Sequence, residues 1–231
     1  MFVFLDIGFT LIGGPGVGPA RRLAEALALP GHAKPILSDL LFRSPFSHPD
    51  QLAEALHAQF HGLPEQSRAV VHALWQAQSD EAYILPGAAE LLETLTEARI
   101  PFGFISNIWA PFHAGFTRLF PQESRQHPSF LSFQLQMAKP DLALYQTALR
   151  QTGVSPRQAI MIGDTYGMDI APPQQLGMKT VWILHRPQQE LADTLHILNG
   201  RAPAPDLALA HIGQVQVEQL HTLLTESKHA Q

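Results

Sequence analysis

The chain has no cysteine in its 231 residues, which excludes disulfides, thiolate zinc sites and a cysteine nucleophile. No apolar run approaches the ~18 residues that a bilayer span requires, and there are no repeats or low-complexity tracts. Charge is sparse: acidic and basic residues make up 15% of the chain, the formal net charge is −5, and neither half is strongly basic. An extended nucleic-acid footprint is therefore not expected. The stretch Met1 to Asp6 is too short for a signal peptide and lacks its basic flank. These absences predict a soluble, cytoplasmic protein with neither a membrane nor a nucleic-acid partner.

What is there is apolar residue in quantity, 45% of the chain, arranged in two rhythms. Phe2 to Leu5 has the length and composition of a buried strand. A Gly- and Pro-rich stretch, Gly13 to Pro19, cannot continue a helix or a strand. From about Ala20 to Tyr83 the spacing is helical, with Leu23 and Leu27 in one segment and Leu52, Leu56 and Phe60 on one face of another. Ser47-His48-Pro49 opens that second segment, and Pro64 starts a third carrying Val70, Val71, Leu74 and Trp75. Beyond Pro86-Gly87 helices and strands alternate. Strands are expected at Phe102–Ile105, Ala159–Ile162, Thr180–Leu184 and Leu207–Ala210, with a weaker extended piece at Phe130–Leu135. Helices are expected around Leu91, over Leu142–Leu149 and from about Val215 to Leu224. Such alternation implies crossover units and a parallel sheet. The fold class is thus α/β: a Rossmann-like, doubly wound parallel sheet with a small all-helical cap domain inserted after strand one. The expected division is a core of residues 1–13 and 86–231 and a cap of residues 14–85, hinged at Gly13–Gly18 and Leu85–Gly87.

Four polar segments follow expected strand ends: Asp6 to Thr10, Ser106-Asn107, Lys139-Pro140, and Gly163-Asp164 with Asp169 five residues on. Ligands of open parallel sheets bind beyond the carboxyl ends of the strands, so these segments can converge. A carboxylate such as Asp6 can attack phosphorus and divide a slow hydrolysis into two steps. Two further carboxylates, Asp164 and Asp169, make an oxygen-rich site suited to Mg2+. A lysine drawn among three carboxylates, Lys139, balances the charge. Each motif alone has an ordinary explanation as a turn, a cap or a solvated side chain. Their order and placement together carry the reading.

These residues resemble the haloacid dehalogenase superfamily of hydrolases along nearly the whole chain. Phe4 to Leu11 is similar to its first motif, Ile105-Ser106-Asn107 to its second, Lys139-Pro140-Asp141 to its third, and Ile162-Gly163-Asp164 through Asp169 to its fourth. The resemblance implies a mobile cap, Mg2+ as cofactor and a small phosphorylated molecule as partner; oligomeric state is left open. It implies Asp6 as nucleophile with Lys139 as a second catalytic group. Asp6, the carbonyl of Gly8, Asp164 and Asp169 would bind metal, and Thr10, Ser106, Asn107 and Lys139 would bind phosphate.

Gly8 is the departure. The phosphatases of this family usually carry Asp there, to protonate the leaving alkoxide and then activate water. Glycine keeps the carbonyl and removes the proton shuttle, a loss of roughly 10²–10⁴-fold, so slow turnover of ordinary phosphate esters is expected. Among histidines that could substitute, His113 is the first choice, since it follows Asn107 closely. Two alternatives are compatible with Gly8: a degenerate, non-catalytic phosphate-binding member, or a 2-haloacid dehalogenase in which Asp6 displaces halide without metal. Pro172-Pro173 should stop or kink any helix that begins near Asp169.

Overall fold

The computed structural model describes residues 1–226. Its elements, in chain order, are β1 (Phe2–Leu5), β2 (Ile12–Gly13), α1 (Pro19–Ala26), α2 (Ala33–Arg43), α3 (Pro49–Gln59), α4 (Ser67–Asp80), β3 (Tyr83–Ile84) and α5 (Ala88–Glu97). There follow β4 (Phe102–Ser106), α6 (Ala110–Leu119), α7 (Glu123–Gln126), β5 (Ser129–Leu131), α8 (Ser132–Leu135) and α9 (Leu142–Thr152). The last are β6 (Ala159–Gly163), α10 (Ala171–Gln175), β7 (Lys179–Ile183), α11 (Leu191–Leu198), β8 (Leu207–Leu209) and α12 (Val217–Glu226).

Six strands form one sheet in the order β5-β4-β1-β6-β7-β8, and every neighbouring pair is parallel. Counting only these strands, the order is the doubly wound 3-2-1-4-5-6, whose direction reverses beside β1. A strand buried on both faces reads as an unbroken apolar run, as β1 does. Alternation then divides its side chains: Val3 and Leu5 join one core with Ile160, Ile162 and Phe104, while Phe2 and Phe4 join another with Met161, Leu144 and Tyr145. In register, Leu5 lies opposite Phe104 and Ile162, so the residues that follow all three strands emerge on the same rim.

Helices α1 to α4 lie together between β2 and β3 and share a core of Leu23, Leu37, Leu41, Leu52, Leu56 and Val71. The start of α3 is capped as its sequence suggests. Asp50 N–H donates to His48 Nδ1 at 3.3 Å, the Gln51 side chain accepts from the His48 N–H, and Pro49 sits in the first turn. The chain enters and leaves this unit through β2 and β3, a two-residue antiparallel pair with Ile12 opposite Ile84. That pair, not the glycine stretch alone, forms the junction. Trp109, which precedes α6, inserts into the core of the helical unit and stacks edge-on with Trp75, ring centroids 5.5 Å apart.

One expected strand is shorter than the sequence suggests. Only Ser129–Leu131 pairs with β4, and Ser132–Leu135 turns helical. The Ser132 hydroxyl explains the turn: it accepts from Ile108 N–H and donates to Ile108 O, both at 3.1 Å, which ties the chain to the β4–α6 loop. Helix α11, with Leu191, Leu195 and Leu198 exposed, has no counterpart in the sequence reading. No helix among the described residues is long and apolar enough to cross a membrane.

Candidate active site

Asp6 follows β1 directly, and its N–H donates to Ile162 O across the sheet at 2.9 Å. The loop after it is tight: Leu11 and Ile12 N–H groups both return to Ile7 O at 3.0 Å. Phe9 is held in the left-handed region, with φ of 57°, a conformation a bulky residue adopts only under such constraint. Asp164 follows β6, and Asp169 returns over the end of the same strand. Gly163 permits that return, because a Cβ there would meet Asp169 Cγ at 2.3 Å.

What brings Asp169 back is a π-helical turn, Tyr166–Ile170, in front of α10. Pro172 and Pro173 enter α10 within its first turn, where missing N–H groups are tolerated. In a continuous α-helix the residue at 172 would donate to Met168 O; proline cannot, and the Tyr145 hydroxyl donates to that carbonyl instead. The prolines therefore end a wide turn and begin a narrow one, a geometry often found at functional sites. Glu190 secures the start of the turn by accepting from Tyr166 N–H at 2.8 Å, and Trp182 Nε1 donates to Asp164 O at 3.0 Å.

Carboxylate oxygens of Asp6, Asp164 and Asp169 come within 4.8 Å of one another, and all three residues are buried. Lys139 reaches them from the loop after α8. Its ammonium donates to Asp6 Oδ1 and Asp169 Oδ1, each at 2.6 Å, and to Ile105 O at 3.3 Å. Asn107 clasps the Lys139 backbone on both sides, donating to its carbonyl and accepting from its N–H, each at 2.8 Å. Burial alone would lower the Lys139 pKa, but Asp169 and Asp6 together outweigh it and hold the group charged above its ordinary range. Burial raises Asp164 to about 6, aided by the Asp6 charge and opposed by Arg186. Burial likewise raises Asp169, with Lys139 opposing and the other two carboxylates adding to the shift.

A cavity of about 180 Å3 opens above these groups. Asp6, Gly8, Asn107, Lys139, Asp164 and Asp169 line it. Thr10 and Ser106 do not: both are buried, and the Thr10 hydroxyl turns to Asp6 Oδ2 at 3.5 Å. His113 lies off the cavity as well, with its ring against Phe116 and Phe133 and its pKa lowered by burial. Among the described residues the lining contains no histidine. Phe112 occupies the space beside Gly8, its Cε1 3.6 Å from where a Cβ would sit, and its ring also covers Gly14.

One charged residue was missed by the sequence reading. Arg186, in the loop after β7, donates to Asp164 Oδ2 through Nη2 at 2.5 Å and Nε at 3.1 Å. Its guanidinium lies 3.7 Å over the Phe9 ring. Only its position after a buried strand could have singled it out.

The Lys139 contacts set a stability expectation. In Lys139→Met, Asp6 and Asp169 remain buried without their cation, and breaking a buried pair in this way costs about 3–5 kcal/mol. Urea unfolding of metal-free protein should register that loss; a change below about 1 kcal/mol would contradict it.

Proteins of known structure share this fold. A solved haloacid dehalogenase-family enzyme from Bacteroides thetaiotaomicron, in complex with magnesium and inorganic phosphate, is similar at a TM-score of 0.59 and 15% identity, covering 79% of this chain and 93% of that one. A 2-haloacid dehalogenase from Pseudomonas syringae pv. Tomato DC3000 is similar at 0.56 and 20% identity, covering 98% of both chains. At such identities the likeness is one of fold. A glyceraldehyde 3-phosphate phosphatase from Pyrococcus furiosus is 40% identical over 53 residues, a match that spans 23% of this chain and 22% of that protein. The family model described as haloacid dehalogenase-like hydrolase matches residues 49–183, which takes in Lys139, Asp164 and Asp169 but not the loop that carries Gly8. That match covers more than half of the chain, and the protein belongs to the haloacid dehalogenase-like hydrolases.

Proposed function

We propose that the chain hydrolyses phosphate monoesters with Mg2+ through a phospho-Asp6 intermediate. The observation that carries this reading is the meeting of three buried carboxylates with one ammonium at the sheet rim. The donor set is compact and made only of oxygen, which suits a hard divalent cation. In this reading Asp6, Asp164, Asp169 and the Gly8 carbonyl hold Mg2+, and Arg186 yields its place on Asp164. The bound cation supplies charge neutralisation and a fixed line of attack.

Asp6 attacks phosphorus with the oxygen that Lys139 does not hold. The ester P–O bond breaks, and its electron pair leaves on the departing oxygen. Water then attacks the acyl-phosphate at phosphorus, the bond to Asp6 breaks, and inorganic phosphate leaves with the water proton passing to solvent. Lys139 keeps a positive charge beside the phosphoryl oxygens throughout. Asn107 holds Lys139 in position, and Thr10 fixes the Asp6 carboxylate. Residues 14–85 act as a cap over a core of 1–13 and 86–231.

Carbon–halogen hydrolysis by Asp6 is a second reading, favoured by the apolar walls of the cavity and by Gly8. The two separate cleanly. Acetyl phosphate hydrolysis that requires Mg2+ and stops on chelation supports the first; halide release from a 2-haloacid in the presence of chelator supports the second.

Metal binding should also depend on pH. The raised values mean that folded, metal-free protein keeps protons on Asp164 and Asp169 between the ordinary 3.8 and about 6 or above. The unfolded chain binds fewer protons there, so these two groups make metal-free protein less stable as pH rises through that window. Entry of a cation must expel the same protons, so its affinity moves the opposite way. The increase in Tm caused by Mg2+ should be large at pH 8 and nearly absent at pH 5. An increase independent of pH would count against a cation held by these carboxylates.

A further inference from the structure

The cavity has two chemically distinct ends. Its floor is the ionic cluster; its walls are Val17, Phe42, Trp109, Phe112 and Met168. Among the described residues the helical unit contributes no charged side chain to the lining, and its one polar contribution, Gln78, already accepts from the Trp109 indole at 3.0 Å. Both lining cations are engaged by carboxylates. The other polar lining groups, Asn107 and Thr165, sit beside the ionic floor, so a sugar or glycerol body would bury most of its hydroxyls against the rings of the walls, which is costly. Arg186, the lining cation that bound Mg2+ would release from Asp164, lies over the Phe9 ring beside the ionic floor and not on the apolar walls.

Size and leaving-group chemistry narrow the choice further. A volume of about 180 Å3 must hold the phosphoryl group and the substrate body together, and since a cavity of roughly 150 Å3 holds benzene alone, the enclosed body is no larger than a single ring. At the floor, Gly8 and the Phe112 ring occupy the place from which an acid would reach the leaving oxygen. That oxygen must then depart as an anion. A phenolate does so readily, since the conjugate phenol has a pKa of about 10, well below that of an aliphatic alcohol.

We propose that the substrate is an aryl phosphate monoester whose single ring packs between Phe42, Trp109 and Phe112. The inference rests on the phosphatase reading above and adds the class of leaving group. Asp6 forms the new P–O bond, the aryl P–O bond breaks, and the phenolate leaves with the electron pair and takes its proton from water.

The experiment compares phenyl phosphate, cyclohexyl phosphate, glucose 6-phosphate and acetyl phosphate with Mg2+. Cyclohexyl phosphate has the shape of the aryl ester but an alkoxide leaving group. It should inhibit phenyl phosphate hydrolysis with a Ki at least tenfold below that of glucose 6-phosphate, and turn over at least 100-fold more slowly than phenyl phosphate. In Val17→Asp, at an exposed wall position, the ratio of kcat/KM for phenyl phosphate over acetyl phosphate should fall at least tenfold; Phe42→Ala gives a second test of the same wall. Glucose 6-phosphate binding as tightly as cyclohexyl phosphate, with acetyl phosphate turned over, would overturn the substrate class and leave the phosphatase reading standing. Failure to turn over any of the four, acetyl phosphate included, would overturn both.

Discussion

Asp6→Asn should abolish Mg2+-dependent hydrolysis of acetyl and phenyl phosphates, with kcat falling roughly 10⁴–10⁶-fold, as when a covalent nucleophile is removed. The substitution is nearly isosteric, so Lys139 still meets Asp169 and a polar oxygen at position 6. It also removes one of three crowded carboxylates, so the variant should be at least as stable as the parent protein without metal. That combination separates a chemical effect from a folding effect. Acid quench after mixing with labelled acetyl phosphate should trap a phosphoprotein in the parent and none in the variant. Activity within tenfold of the parent would remove Asp6 from the role of nucleophile.

Restoring an acid at position 8 should produce the largest gain. Gly8→Asp supplies the missing proton shuttle, and general acid–base help is worth roughly 10²–10⁴-fold on esters with poor leaving groups. The backbone accepts a side chain there, since an added Cβ makes an ordinary 3.6 Å contact with Phe112. The carboxylate beyond it must pass the ring, so the full effect belongs to Gly8→Asp combined with Phe112→Ala. In the double variant kcat for cyclohexyl phosphate should rise by that factor and kcat for phenyl phosphate far less, while KM for both rises because Phe112 no longer packs against the ring. The parent should show a burst of phenol equal to the enzyme concentration, because among the described residues the cavity lining has no histidine to activate water, so phospho-Asp6 drains slowly. In the double variant the burst should vanish. Unchanged cyclohexyl phosphate turnover, with Mg2+ still raising Tm, would show that proton transfer does not limit the rate.

The convergence at the sheet rim was legible because it depends only on strand direction. Asp6, Asp164 and Asp169 each follow or overhang the end of an apolar run, and parallel pairing puts such ends on one side whatever the register. The helical unit was equally legible, since the spacing of Leu52 and Leu56 and the Pro49 start are local signals. What escaped depends on distances between remote segments. Nothing in the sequence around Arg186 announces Asp164, and nothing around Tyr145 announces that it replaces the N–H absent from Pro172. Asn107 and Thr10 were legible as polar groups beside the site, but not the fact that they bond to Lys139 and Asp6. The strand at Ser129–Leu131 was overextended because one serine hydroxyl, not the apolar pattern, decides where it ends.

The chain's three tryptophans fall at informative places. Trp75 and Trp109 face each other across the seam between helical unit and sheet, and Trp182 is bonded to the carbonyl of Asp164. Intrinsic ultraviolet emission is thus wired to the two regions where ligands would act, with no dye required. Replacing Trp182 by Phe would leave a signal arising only from the seam.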